Sequence, residues 1–149
     1  MIMITSRTVL TIIFLLLATC MTLGTVVSLS AEGKIVPYAP SIIELSGTVQ
    51  MERHYGPPSY GENPQTDSTL NIPVLLLDHP VSTIGNPNDP ANNKSFKDIS
   101  KIQLTGSKIV SSELNPNLHV LVTGMLFMRQ TAEQFTDVEM VVKSIKVLN

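Results

Sequence analysis

The sequence predicts an all-β domain, a small five-stranded barrel, behind an N-terminal apolar leader. Three observations predict it. Apolar residues alternate with polar ones in five separate stretches after Ala31, the period of strands that bury one face. No part of that region sustains a helical period through three turns, so no amphipathic helix competes for the core. Two glycines, Gly47 and Gly124, interrupt the two strongest alternating runs, where a small barrel has to bend its long strands.

The leader occupies residues 1–31. No charged residue lies between Thr8 and Ala31, Arg7 precedes an apolar run centred on Ile12 to Leu17, and Ser28, Ser30 and Ala31 follow. A positive start, an apolar middle and a small-residue end make a secretory signal peptide. Two alternatives stay open. Val9 to Val27 approaches the roughly 20 residues of a membrane-spanning helix, which would make an uncleaved anchor. Leu17-Ala18-Thr19-Cys20 resembles a lipobox whose cysteine would be acylated. In every version the rest of the chain is exported, periplasmic or secreted, and touches a membrane only through an uncleaved leader or an acylated Cys20.

Residues 32–41, with Gly33, Pro37 and Pro40, read as a tether, and residues 42–149 as the domain. The first strand runs from Ile42 to His54, with Leu45, Gly47, Val49 and Met51 on one face. A second covers Leu70 to Leu77, where Leu70, Ile72, Val74 and Leu76 share a face. Pro73 within it lacks an N–H and therefore belongs at an edge or bulge. Ile99 to Thr105 makes a short third strand. One helical turn fits Ser107 to Leu114, before Asn115-Pro116-Asn117 stops it. The fourth strand, Leu118 to Arg129, buries Leu118, Val120, Val122, Leu126 and Met128 on one face, with Leu121, Met125 and Phe127 on the other. Asp137 to Leu148 is the fifth. Five strands with a short irregular piece between the third and fourth follow the order of an OB-fold barrel. A small open sandwich is the rival arrangement.

Composition narrows the function classes. The 149 residues are 43% hydrophobic and 15% charged, too apolar for a disordered chain and of a length for one domain. Ten Lys+Arg stand against twelve Asp+Glu, a balance that disfavours a protein built to neutralise phosphates. The one cysteine lies in the leader, which excludes a disulfide framework and a cysteine-rich zinc site. An exported domain without disulfides fits a bacterial envelope.

The segment between the first two strands, Tyr55-Gly56-Pro57-Pro58-Ser59-Tyr60-Gly61-Glu62-Asn63-Pro64, is the most unusual in the chain. Proline fixes φ and glycine frees it, so the segment follows a defined path. Its tyrosines can stack on a ligand ring or pin the loop to the barrel. In an OB barrel this loop forms one wall of the ligand groove. The candidate ligand-binding residues are Tyr55, Pro57, Pro58, Tyr60, Glu62 and Arg129, the last at the rim with Arg53. Glu62 is read as the cap of loop amides, and Asp67 as the start of a turn with Thr66 and Ser68. The Asn86–Asn93 stretch reads as a solvated turn-rich loop.

Tyr55–Glu62, then Leu75-Leu76-Leu77-Asp78-His79-Pro80, then Val122-Thr123-Gly124-Met125-Leu126-Phe127 resemble the marks of an uncharacterised family of small exported bacterial domains, with YGPPxYGE and VTGxLF motifs. The resemblance covers residues 45–148 and implies an OB-like exported domain of no agreed activity. It also implies histidines in the hairpin between the last two strands. Arg129 to Thr136 contains none, so no metal role carries over.

His54, His79 and His119 fall on three elements without the spacing of a ligand motif, and neither a metal nor another cofactor is expected. There is no nucleophile elbow and no glycine-rich phosphate loop. The reading is a non-enzymatic binding module of the bacterial envelope, holding an envelope protein or a small saccharide-like ligand. Its alternatives are a small hydrolase using Glu62 with His54 or His79, and an exported single-strand nucleic-acid binder, which the acidic balance disfavours.

Overall fold

The structure, a computed structural model, describes residues 33–106 and 115–148. The leader and the helical turn expected over Ser107–Leu114 lie outside the described residues.

Six strands make one sheet: β1 (Lys34–Val36), β2 (Ile43–Tyr55), β3 (Thr69–Thr83), β4 (Phe96–Thr105), β5 (His119–Met128) and β6 (Val138–Val147). The ring runs β3-β2-β5-β6-β4 and closes through a β3–β4 pairing, with β1 appended to β3. Within the ring every pairing is antiparallel except β4–β6. Counted from β2, the barrel strands follow one another round the ring as first, second, third, fifth and fourth, the OB order. The domain is an all-β closed five-stranded barrel with one extra strand, and the described residues contain no helix.

Closure depends on strands that serve two neighbours. β2 pairs with β5 through Ile43–Thr48 and with β3 from Gly47 to Tyr55. At this handover the backbones approach so closely that a β-carbon on Gly47 would collide with the Leu76 carbonyl oxygen. Gly124 adjoins the register shift of the β5–β6 ladder, and a β-carbon there would lie 2.5 Å from the Val141 carbonyl oxygen. Val49, Leu75, Ile102, Val120, Val122, Leu126, Val138 and Met140 fill the interior at 0% exposure, each buried side chain contributing roughly 1.5–3 kcal/mol.

The structure corrects four expectations. Residues 32–41 are not a free tether: Lys34–Val36 pairs in parallel with Val81–Thr83, and Val36 and Tyr38 join the core. The second strand extends to Thr83, beyond the expected Leu77. Asp78, His79 and Pro80 are exposed and break the alternation, and the β3–β4 register shifts between Leu76 and Val81. Its core-facing side is not the one that carries Leu70, Ile72, Val74 and Leu76: Leu75 joins the core and Leu77 packs against it, while Val74, equally buried, lies on the opposite face. The Asn86–Asn93 stretch is not simply solvated either. Asn92 is 3% exposed; its Oδ1 accepts the Met128 N–H at 3.1 Å, and its Nδ2 donates to Asp89 at 3.0 Å. At Pro73 β3 is paired only with β2, since the β4 ladder starts at Val74; the missing N–H costs no ladder bond.

Candidate functional site

The loop joining β2 and β3 is built around Asp67. Its neck is closed by backbone bonds: the Gly56 N–H donates to the Ser68 carbonyl at 2.8 Å, and the Ser68 N–H and hydroxyl both donate to the Pro57 carbonyl. A β-carbon on Gly56 would sit 2.5 Å from the Ser68 hydroxyl oxygen, so a larger residue would displace the Ser68 hydroxyl from the neck. The Pro57–Pro58 bond is cis. Beyond it Tyr60 and Gly61 take φ of +50° and +105°, the left-handed region that glycine enters freely and tyrosine does not. The Asp67 carboxylate holds them there. Oδ1 accepts the Ser59 N–H at 2.8 Å and the Ser59 hydroxyl at 2.7 Å, and Oδ2 accepts the Gly61 N–H at 2.7 Å. Partial desolvation opposes its ionisation, but these hydrogen bonds outweigh that and keep the carboxyl below its usual range.

Asp67 therefore performs the capping expected of Glu62. Glu62 is exposed, and among the described residues its carboxylate makes no hydrogen bond. The ring of Tyr55 lies over Gly61, where a β-carbon would meet its Cδ2 at 3.5 Å, and Tyr55 remains 48% exposed.

The facing wall is the β5–β6 hairpin. Buried Gln103 on β4 fixes it, accepting the Phe135 N–H at 2.7 Å and donating to the Glu133 carbonyl at 3.3 Å. Gln134 accepts the N–H groups of Gln130 and Thr131. Among the described residues the two walls meet at two points. The Tyr60 hydroxyl donates to Glu133 Oε1 at 3.3 Å, and the His54 ring stacks on Phe135 with centroids 4.2 Å apart and planes 22° apart. Desolvation and the adjoining Glu133 carboxylate push the Tyr60 phenol up, so it stays a donor.

Beside this contact, Glu52 on β2 joins His54 Nε2 at 3.1 Å and Lys101 Nζ at 3.0 Å. Burial raises the Glu52 carboxyl, yet the hydrogen bonds from Lys101 and His54 prevail and hold it below the usual range. A recess of 280 Å³ continues from Phe135 along the start of β4, lined by Lys97, Asp98, Ile99, Ser100, Lys101, Thr136 and Asp137.

The structure thus brings Tyr60 against the hairpin and leaves Tyr55 and Glu62 at the lip. Arg129 is exposed and its Nε donates to the Thr131 carbonyl at 3.4 Å, within its own hairpin. Arg53 is exposed too and reaches Thr69 at 3.4 Å. Sequence reasoning missed Glu52, Lys101 and Asp98. The Glu52/His54 spacing of two on one strand face was the available signal.

Among the described residues no carboxylate–imidazole pair involves Glu62. The carboxylate beside His54 is Glu52, while that beside His119 is Asp78, at 2.9 Å, which also accepts the Ser46 hydroxyl at 2.6 Å. His79 is exposed on β3. Among the described residues no three His, Cys, Asp or Glu side chains are grouped to hold a metal ion. No family model matches the chain, and neither a curated protein nor a solved structure matches it.

Proposed function

We propose that this domain is a non-enzymatic binding module of the bacterial cell envelope. It holds an envelope protein or a small saccharide-like ligand across the face between the β2–β3 loop and the β5–β6 hairpin. The observation that carries the reading is the loop's construction: Asp67 fixes a left-handed Tyr60-Gly61 turn whose tyrosine docks on Glu133, leaving the Tyr55 ring half exposed above it. A preformed aromatic lip of this kind lowers the ordering cost of binding. In this reading Tyr55 and Tyr60 are the contact rings, Pro57 and Pro58 stiffen the lip, Glu62 accepts a hydrogen bond and Arg129 supplies a cationic rim. Export rests on the apolar leader after Arg7, and on the resemblance of Tyr55–Glu62 to exported bacterial domains.

The test is capture from cross-linked envelope extracts by the exported protein, beside a Tyr55→Ala/Tyr60→Ala variant. The expected outcome is a partner lost in the variant while its thermal melt stays cooperative. Equal capture by both proteins, or an unfolded variant, removes the loop from the binding role.

A further inference from the structure

We infer that the recess beside Phe135 is a subsite for one neutral pyranose ring of a glycan. This rests on the binding-module reading and names the ligand class for that face.

Size comes first. At 280 Å³ the recess is near the small end of the roughly 300–1,000 Å³ spanned by ligand pockets, room for one ring and not for a chain buried lengthwise. Charge comes second. Lys97 and Lys101 are balanced in the lining by Asp98 and Asp137, and Lys101 already has Glu52 as partner. An anion entering here meets two carboxylates along with the ammonium groups, so a phosphate or nucleic-acid backbone has no net field to gain. Hydroxyl groups, each both donor and acceptor, match a lining that alternates ammonium donors, carboxylate acceptors and the Ser100 hydroxyl.

The aromatic wall supplies the third element. One face of Phe135 is covered by the His54 ring, which locks the side chain in place, and Phe135 borders the recess. A fixed ring gives the C–H face of a pyranose an apolar surface at little entropic cost. The backbone supplies the fourth. Asp98 sits inside β4 with φ of +52°, the left-handed region that Asp enters more readily than most residues with a side chain. It lies in the stretch where the β3–β4 register shifts, its N–H donating to the Ser82 hydroxyl at 3.3 Å. A bulged strand position of this kind re-aims its side chain, and here that side chain is a carboxylate of the lining.

The experiment is an NMR titration of the exported protein with N,N′-diacetylchitobiose, cellobiose and maltose. Inorganic phosphate and an oligothymidylate serve as controls. At least one disaccharide is expected to shift the amides of Asp98, Lys101 and Phe135 saturably, with neither control doing so. Phe135→Ala and Asp98→Gly should each weaken that binding about tenfold. Glycine accepts the positive φ, so Asp98→Gly deletes the carboxylate and leaves the fold intact even if Phe135→Ala does not. The inference is overturned by the absence of shifts with all three sugars, by equal shifts with phosphate, or by unchanged affinity in Asp98→Gly. Sugar binding absent while tyrosine-dependent envelope capture persists overturns the glycan subsite alone; loss of both overturns the binding-module reading as well.

Discussion

Two proline-containing loops of this barrel are held in opposite ways. The β2–β3 loop, Gly56 to Ser68, closes on itself: its backbone bonds at the neck and those of the Asp67 carboxylate are internal, and among the described residues its cross-barrel hydrogen bond is the single one from Tyr60 to Glu133. The β3–β4 loop, Ile84 to Ser95, is stapled into the molecule. Asn92 satisfies the buried Met128 N–H, and the Lys94 carbonyl accepts the Tyr38 hydroxyl at 3.0 Å while that hydroxyl accepts from Thr83 at 2.9 Å. The difference teaches where function can sit. A self-contained loop can change its surface without touching the core, whereas a stapled one is part of what keeps the barrel shut.

The largest break in this comparison is expected at Asn92. Asn92→Ala leaves the Met128 N–H buried without a partner, at a cost of about 2 kcal/mol. In a domain of this size that lowers Tm by roughly 10 °C. A thermal or urea melt measures it, and a variant as stable as the wild type means the loop is not a staple.

The smallest effect is expected at Tyr60. Tyr60→Phe removes only the hydrogen bond to Glu133, which is long at 3.3 Å and exposed to solvent that competes for both groups. The melt should overlay that of the wild type, while amide shifts appear on Glu133 and its neighbours in the hairpin. A large loss of stability here would mean that the two walls, and not Asp67, hold the loop.

What was legible in the sequence was whatever leaves a local pattern. Alternation located the ring strands, most plainly β5, which buries every second residue, although β4 buries Ile102, Gln103 and Leu104 in a row. Gly47 and Gly124 marked the bends because no side chain fits where two backbones nearly touch. β1 was not legible. Three residues between Gly33 and Pro37 show no period, and they are strand only because Val81–Thr83 offers them an edge. Asp67 was misread for a similar reason: that its carboxylate reaches Gly61, six residues back, depends on two positive φ angles that no spacing reveals. The Phe135–His54 stack needs the closed ring to bring a hairpin beside β2. Both walls of the proposed groove could therefore be named from sequence, but not the side chains that join them.

The central claim is that one carboxylate holds the aromatic lip independently of the barrel. Its most direct test is amide hydrogen exchange at Ser59 and Gly61 in the wild type and in Asp67→Ala at neutral pH. Because the Asp67 carboxyl is depressed in the fold, its contribution is fully present above the ordinary carboxylate pKa of about 4. It is lost only as pH falls through the lower folded value. The prediction is that Asp67→Ala lowers protection at those two amides by about tenfold or more, while the amides of Val122 and Leu126 in β5 exchange as before. Unchanged protection at Ser59 and Gly61, or a loss shared by the whole barrel, would contradict it.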